Sequence, residues 1–280
     1  MHIISFHSRA LKGGLLLLTI GLYVVPFSVA TMAQEHVSFP APLKSCGTGR
    51  AAKVISGDRF RLESGKDIAL AEVKVPEYWP PGAPYKSWPF GHQAKAALTR
   101  ALKDTDLELF CTKRAKSAHG DLLAHVRTGN NEWVQQAMVK AGFAYFMPHG
   151  QAPRMASELR AAEREARTER RGLWSHEGLR IKRADGEGLQ PGWFQLIGGK
   201  IVSEAKRKNR MYLNFGEDWS RDFTIEIPKR LYRYLPKITG EQDTFLGKTV
   251  EVRGWVEWAG GPKIILEFAE QLIVVPEPGR

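Results

Sequence analysis

Residues 52–76 read Ala52-Lys53-Val54-Ile55-Ser56-Gly57-Asp58-Arg59-Phe60-Arg61-Leu62-Glu63-Ser64-Gly65-Lys66-Asp67-Ile68-Ala69-Leu70-Ala71-Glu72-Val73-Lys74-Val75-Pro76. The stretch predicts a three-stranded meander. Ala52–Ile55 leads into the turn Ser56-Gly57-Asp58, and Arg59–Leu62 alternates polar with apolar side chains as a half-buried strand does. Glu63–Asp67 is a second turn. Ile68–Val75 is the third strand, closed by Pro76, which cannot donate to a ladder.

Downstream, residues 78–90 (Tyr-Trp-Pro-Pro-Gly-Ala-Pro-Tyr-Lys-Ser-Trp-Pro-Phe) are too rich in proline for regular structure. Ala94, Ala97, Leu98, Ala101 and Leu102 then fall on one face of a helix predicted over 91–104. Strands are expected at Leu107–Thr112 and Leu122–Arg127, and helices at Glu132–Lys140 and Ala152–Arg171. Residues 178–191 are polar and contain glycine, as a linker does. Beyond them, strands are predicted at Trp193–Glu204, Arg210–Phe215, Asp222–Ile227, Thr249–Trp258, Lys263–Phe268 and Gln271–Val275, with a short helix at Lys229–Leu235. So many strands in so short a segment suggest a second small β-barrel.

The N-terminus has the outline of a secretory signal peptide over residues 1–33. Arg9 and Lys12 precede an apolar run from Gly13 to Val25, and small-residue sites follow at Ser28-Val29-Ala30 and Thr31-Met32-Ala33. The run is shorter than the ~20 residues of a spanning helix. Export to the periplasm or outside the cell is therefore expected, with no membrane span left after cleavage; an uncleaved membrane anchor is the alternative. The chain holds 41 Lys and Arg against 30 Asp and Glu, a formal net charge of +11. Such a balance suits a polyanionic partner, and it equally suits a merely soluble surface. Over 184–280 the two signs balance. Two cysteines, Cys46 and Cys111, are compatible with a disulfide in an oxidising compartment and argue against a Cys-rich zinc site.

Five segments in order resemble the thermonuclease (staphylococcal-nuclease-like) family: the meander ending Val75-Pro76-Glu77, Gly91-His92-Gln93-Ala94-Lys95, Ser117 to Ala124, Trp133 to Ala144, and Glu163 to Trp174. The resemblance covers residues 45–175. It implies an α+β fold, mainly β, in which a five-stranded OB barrel carries three helices. A second, OB-like β-barrel is expected over 192–276. The barrel topology of the family closes the first strand on the fourth, and so implies a Cys46–Cys111 disulfide.

The family cleaves phosphodiesters with calcium, using carboxylates for the metal and two arginines for the phosphate. Asp58 and Glu77 match retained catalytic positions. At the other matching positions stand Ala69 for the first arginine, Lys74 for the second metal carboxylate, Val75 for the neighbouring threonine and Asp121 for the second arginine. Calcium needs about six or more oxygens, and the loss of even one preorganised donor costs ~10²–10³ in rate. The resemblance therefore implies a pseudoenzyme, with no cofactor, that binds single-stranded nucleic acid or another envelope component, or acts as a scaffold. The alternative is an active phosphodiesterase using Asp58 and Glu77 with substituted cations, for which calcium would be expected.

Lys74 is expected to replace the metal as a fixed cation pairing with Asp58, with Asp121 a further candidate partner, and Glu77 is open to a purely structural role. In the second barrel, Lys206, Arg207, Lys208, Arg210, Tyr212 and Trp255 are candidates for nucleic-acid binding, alongside Phe215, Trp219 and Trp258. Strand aromatics that fill a core, and a hairpin tip that is merely solvated, are the competing reading. The aromatic loop 78–90 is expected to pack on the second domain. The alternative for it is an exposed contact surface.

Overall fold

The computed structural model describes residue 39 and residues 43–82, 87–111, 116–117, 119–148, 153–185, 188–218, 220–239 and 244–276. The leader segment 1–33, Tyr85 and Trp219 lie outside the described residues. Residues 36–280 form one compact unit, within which two lobes can be followed in chain order.

The first lobe opens with β1 (Lys44–Gly49) and β2 (Ala51–Val54), then β3 (Arg59–Leu62), β4 (Asp67–Leu70), β5 (Val73–Lys74), α1 (Gly91–Ala101), β6 (Leu107–Cys111), β7 (Leu122–Thr128), α2 (Val134–Lys140), β8 (Tyr145–Phe146) and α3 (Pro153–Thr168). Six of these strands make one sheet in the order β1-β6-β7-β4-β3-β2. Its two edge strands are consecutive in the chain, with Arg50 alone between them, so the sheet curls back on itself. Pairing is antiparallel except for β4 with β7, which run parallel. The fold is thus mixed α+β, mostly strands with three longer helices.

Alternation in β3 buries Phe60 and Leu62 and turns Arg59 and Arg61 outward, as the period of two requires. The core they enter also holds Ile68, Leu98, Leu107, Leu109, Val126, Trp133 and Leu159. Each such side chain, fully buried, stabilises by roughly 1.5–3 kcal/mol.

Two differences from the predicted elements bear on the site. The first strand starts at Lys44, ahead of the predicted Ala52. Its register sets Lys44 opposite Cys111 and Ser45 opposite Phe110, which brings Cys46 and Cys111 into the disulfide that the family topology implied, with Cα atoms 5.8 Å apart. The predicted strand Ile68–Val75 is in fact two. Glu72 takes a left-handed backbone (φ 59°), which interrupts the ladder; β5 then leaves the main sheet and pairs with β8, setting Lys74 opposite Tyr145.

The second lobe contains β9 (Lys182–Arg183), β10 (Phe194–Lys200), β11 (Ser203–Arg207), β12 (Arg210–Asn214), β13 (Thr224–Pro228), α4 (Pro236–Thr239), β14 (Thr249–Trp255), β15 (Glu257–Trp258), β16 (Pro262–Ile265) and β17 (Leu272–Val274). Strand β9 lies within the stretch predicted as a linker and pairs parallel with β10. The predicted helix at Lys229–Leu235 is a 3-10 turn over Lys229–Tyr234. The pairing logic of the first lobe recurs. Consecutive strands β10 and β11 pair with β14 and β12 respectively, and β13 runs parallel to β16. Ile197, Leu213, Phe223, Ile225, Ile227, Val250 and Ile264 form its core.

A third apolar cluster joins the lobes. Tyr145, Ala166, Leu173 and Trp174 of the first meet Phe194 and Leu196 of the second, with Trp88 and Phe90 packed alongside. Among the described residues no helix is long and apolar enough to cross a membrane.

Candidate functional site

The turn between β2 and β3 places Asp58 at the edge of a cleft of about 740 Å³. Backbone N–H groups of Ile55 and Ser56 both donate to the carbonyl of Arg59, at 2.8 and 3.2 Å, and fix the turn. Gly57 sits against α1, where a Cβ would come within 2.8 Å of that of Ala94; no side chain fits. Ser56 Oγ donates to Asp58 Oδ1 at 2.7 Å. Burial pushes the Asp58 carboxyl above its ordinary pKa; the Ser56 bond and the nearby ammonium of Lys74 oppose this shift, and Glu77 adds to it.

Lys74 reaches the cleft from β5. Its ammonium bonds Glu77 Oε1, and the side chain is only 16% exposed. Glu77 is held from behind, because Trp88 N–H donates to its carbonyl at 2.9 Å and α1 begins at Gly91, where a Cβ would run into that same carbonyl. The expected partnership of Lys74 with Asp58 and Asp121 is corrected in part: it bonds neither directly. Lys74 influences Asp58 through space, yet its hydrogen bond goes to Glu77, because β5 has left the main sheet.

Asp121 has a different partner as well. Arg59 grips it with two bonds, Nε to Oδ2 at 2.8 Å and Nη2 to Oδ1 at 2.9 Å, and Ser117 Oγ adds a third at 2.9 Å. Burial pushes this carboxyl up, but Arg59 and Ser117 more than offset it and hold it below the ordinary carboxylate range. Arg59 was not singled out in the sequence. Its outward place on β3, directly after Asp58, was the available signal.

Ala69 and Val75, the other two positions that the resemblance marked, bring no polar side chain to the cleft and are 7% and 3% exposed. The wall is completed by Lys53, Arg61, Lys95, His119, Tyr78 and Trp79. Arg61 makes a two-pronged pair with Asp67, and Lys95 lies over the ring of Tyr78 at 4.2 Å.

Calcium does not fit this donor set. Asp58 prefers its proton more than a solvated aspartate does, and the ammonium of Lys74 lies in the same cleft. Among the described residues no three His, Cys, Asp or Glu side chains converge as a metal cage, against the six or so oxygens that calcium takes.

In the second lobe the candidates divide. Arg207, Arg210 and Tyr212 line one groove of about 400 Å³, together with Asn214, Thr224, Glu226 and Lys263. Glu226 forms its floor, 2% exposed, bonded by Arg210 and by Lys263 Nζ at 3.0 Å. Lys206 turns away, over the ring of Tyr232 at 5.2 Å, and Lys208 is exposed in the turn between β11 and β12. Phe215 is buried in the core. Trp255 lies elsewhere, at the seam between the lobes, with Lys74 Nζ 4.9 Å from its ring centre.

The first lobe is thus a curled mixed sheet with three longer helices and a cleft of paired charges. The comparison with known families makes it particular: residues 67–176 match the family described as Staphylococcal nuclease homologue, and this segment of the chain is a domain of that kind. No curated protein matches the chain.

Proposed function

We propose that this is an exported nuclease-type protein that has given up calcium-dependent hydrolysis and binds single-stranded nucleic acid. The observation that carries the reading is the ammonium of Lys74 bonded to Glu77. The cation stands at the family's metal-ligand position and ties up the carboxylate that would activate water. The second phosphate-binding position is likewise reversed in sign, with Asp121 consuming the charge of Arg59. What remains is a cleft with more basic than acidic side chains on its wall, which attracts phosphates without activating them. The second lobe, read as an OB-type barrel, offers a further basic groove at Arg207, Arg210 and Lys263. Export rests on the N-terminal pattern and agrees with the disulfide.

One observation favours the alternative, an active phosphodiesterase. Arg59 sets a guanidinium in the cleft beside Asp58, where a substituted cation would have to stand. Incubation of the mature protein with single-stranded DNA and RNA, in calcium and in EDTA, separates the two. We expect binding without cleavage in both. Calcium-dependent cleavage that Glu77→Gln abolishes would establish the enzyme instead. Absence of any oligonucleotide binding would leave scaffolding of another envelope component.

A further inference from the structure

We infer that the second lobe completes the first-lobe cleft, adding a tryptophan platform at its mouth on which the unpaired bases of a single strand stack. The inference rests on the nucleic-acid reading above and names which lobes and side chains the strand must touch.

Trp79 lines the cleft, and Lys74, which also lines it, has Trp88 of the first lobe and Trp255 of the second within reach. Trp79 and Trp88 belong to the aromatic loop, which is pinched shut by Ser87: its Oγ accepts from Trp79 N–H at 2.8 Å and donates to the Trp79 carbonyl at 3.0 Å. Trp88 stacks on Trp193 of the second lobe, with centroids 4.7 Å apart and planes 14° from parallel. Lys74 Nζ lies 4.9 Å from the ring centre of Trp255 and 5.7 Å from that of Trp88. Of the loop's described aromatics, Trp88 and Phe90 pack with the second lobe, while Tyr78 packs on His92 of the first, and part of the aromatic surface stays in water. Trp79, Trp193 and Trp255 are 38%, 40% and 44% exposed. Rings this large are normally withdrawn from solvent, and exposed aromatic surface of this kind marks a contact site.

Charge selects the occupant. The cleft that leads to these rings presents Lys53, Arg59, Arg61, Lys74 and Lys95 against Asp58, Glu77 and Asp121. Cations along a groove that ends in indoles match a chain of phosphates bearing flat, unpaired bases. A duplex hides its base faces and gains nothing from the rings. Lys74 has a second role here: its ammonium links Glu77 of the first lobe to Trp255 of the second, and so fixes the platform at the cleft.

The test is fluorescence anisotropy with labelled oligothymidylate and with a duplex of equal length, on the full mature chain. Stacking of one base typically accounts for a roughly 5- to 100-fold change in affinity. Trp255→Ala and Trp193→Ala should each weaken the oligothymidylate within that range, and Trp255→Phe should recover most of the loss. Leu246→Ala, at an exposed side chain of the second lobe that lines neither the cleft nor the groove, should bind as the parent does, and the duplex should bind more weakly. Recovery by phenylalanine separates stacking from misfolding. Parent-like binding by both seam variants, while Lys53→Glu with Arg61→Glu abolishes it, would overturn the platform and leave the nucleic-acid function standing. No binding by the parent chain would overturn both.

Discussion

Arg253 on β14 of the second lobe closes on Glu163 in α3 of the first with two hydrogen bonds, 2.9 Å to Oε1 and 2.8 Å to Oε2, and both side chains are 3% exposed. The same guanidinium donates to the carbonyl of Phe146 at 2.7 Å. Arg167 adds a bond to Glu251 at 2.9 Å across the same boundary. The lobes are therefore locked through a buried, fully bonded ion pair as well as through apolar contact.

Breaking that pair from one side should be costly. Arg253→Met leaves Glu163 buried with only the more distant Arg167 Nη2, at 3.5 Å, to face it, a loss of about 3 kcal/mol, which urea unfolding would measure. The pH dependence follows from Glu163. Burial alone would raise its pKa, but Arg253 and Arg167 outweigh burial and the folded value is lowered. A depressed folded pKa means that the pair's contribution is present above the unfolded value and lost as pH falls through the folded one. Below about pH 5 the parent should lose stability faster than Arg253→Met does. Equal acid sensitivity in the two proteins would show that Glu163 is not the group responsible.

The disulfide closes a loop of 65 residues. In the chain-entropy account a loop of that size stabilises by about 4 kcal/mol. Cys46→Ser with Cys111→Ser should therefore melt well below the oxidised parent, and dithiothreitol should lower the parent to a similar temperature. An unchanged melting temperature on reduction would contradict it.

Asp58 is a carboxylate that its surroundings discourage from ionising. Its folded pKa is raised, so the stabilising form is the protonated one. That contribution is present below the unfolded value and lost as pH rises through the folded value. Asp58→Asn keeps an acceptor for Ser56 and removes the charge. At neutral pH it should raise the melting temperature. The gain should vanish in acid, and calorimetry across pH would decide it.

Asp121 neutralises Arg59 within the cleft. Asp121→Asn should release that positive charge toward a bound phosphate. Oligonucleotide affinity should rise several-fold at low salt, and the slope of log K against log salt should steepen by about one phosphate contact. A slope equal to that of the parent would mean that Arg59 never faces the strand.

Much of this was legible without coordinates. Arg59-Phe60-Arg61-Leu62 announces its buried and open faces by alternation, and the Ser56-Gly57-Asp58 turn announces itself by composition. Ala69, Lys74, Val75 and Asp121, the positions that the resemblance marked, all line the one cleft. The break at Glu72 was not legible, since Ile68–Val75 reads as one apolar-rich run and nothing local demands a left-handed residue there. Neither was the division of the candidate binding set, because Arg207, Arg210 and Tyr212 share a groove with Lys263, a residue far along the chain, while Trp255 serves the seam.

The sequence by itself determined the kind of first-lobe fold and the chemistry standing at each position of its cleft, because periodicity, turn residues and motif order are local properties. Tertiary structure alone decided which charge each group answers. Lys74 goes to Glu77 and Trp255, Asp121 to Arg59, and Glu163 to Arg253. Electrostatic partnership is settled over a few ångströms, and those distances are set by how β5 swings out of its sheet and how the second lobe seats on the first.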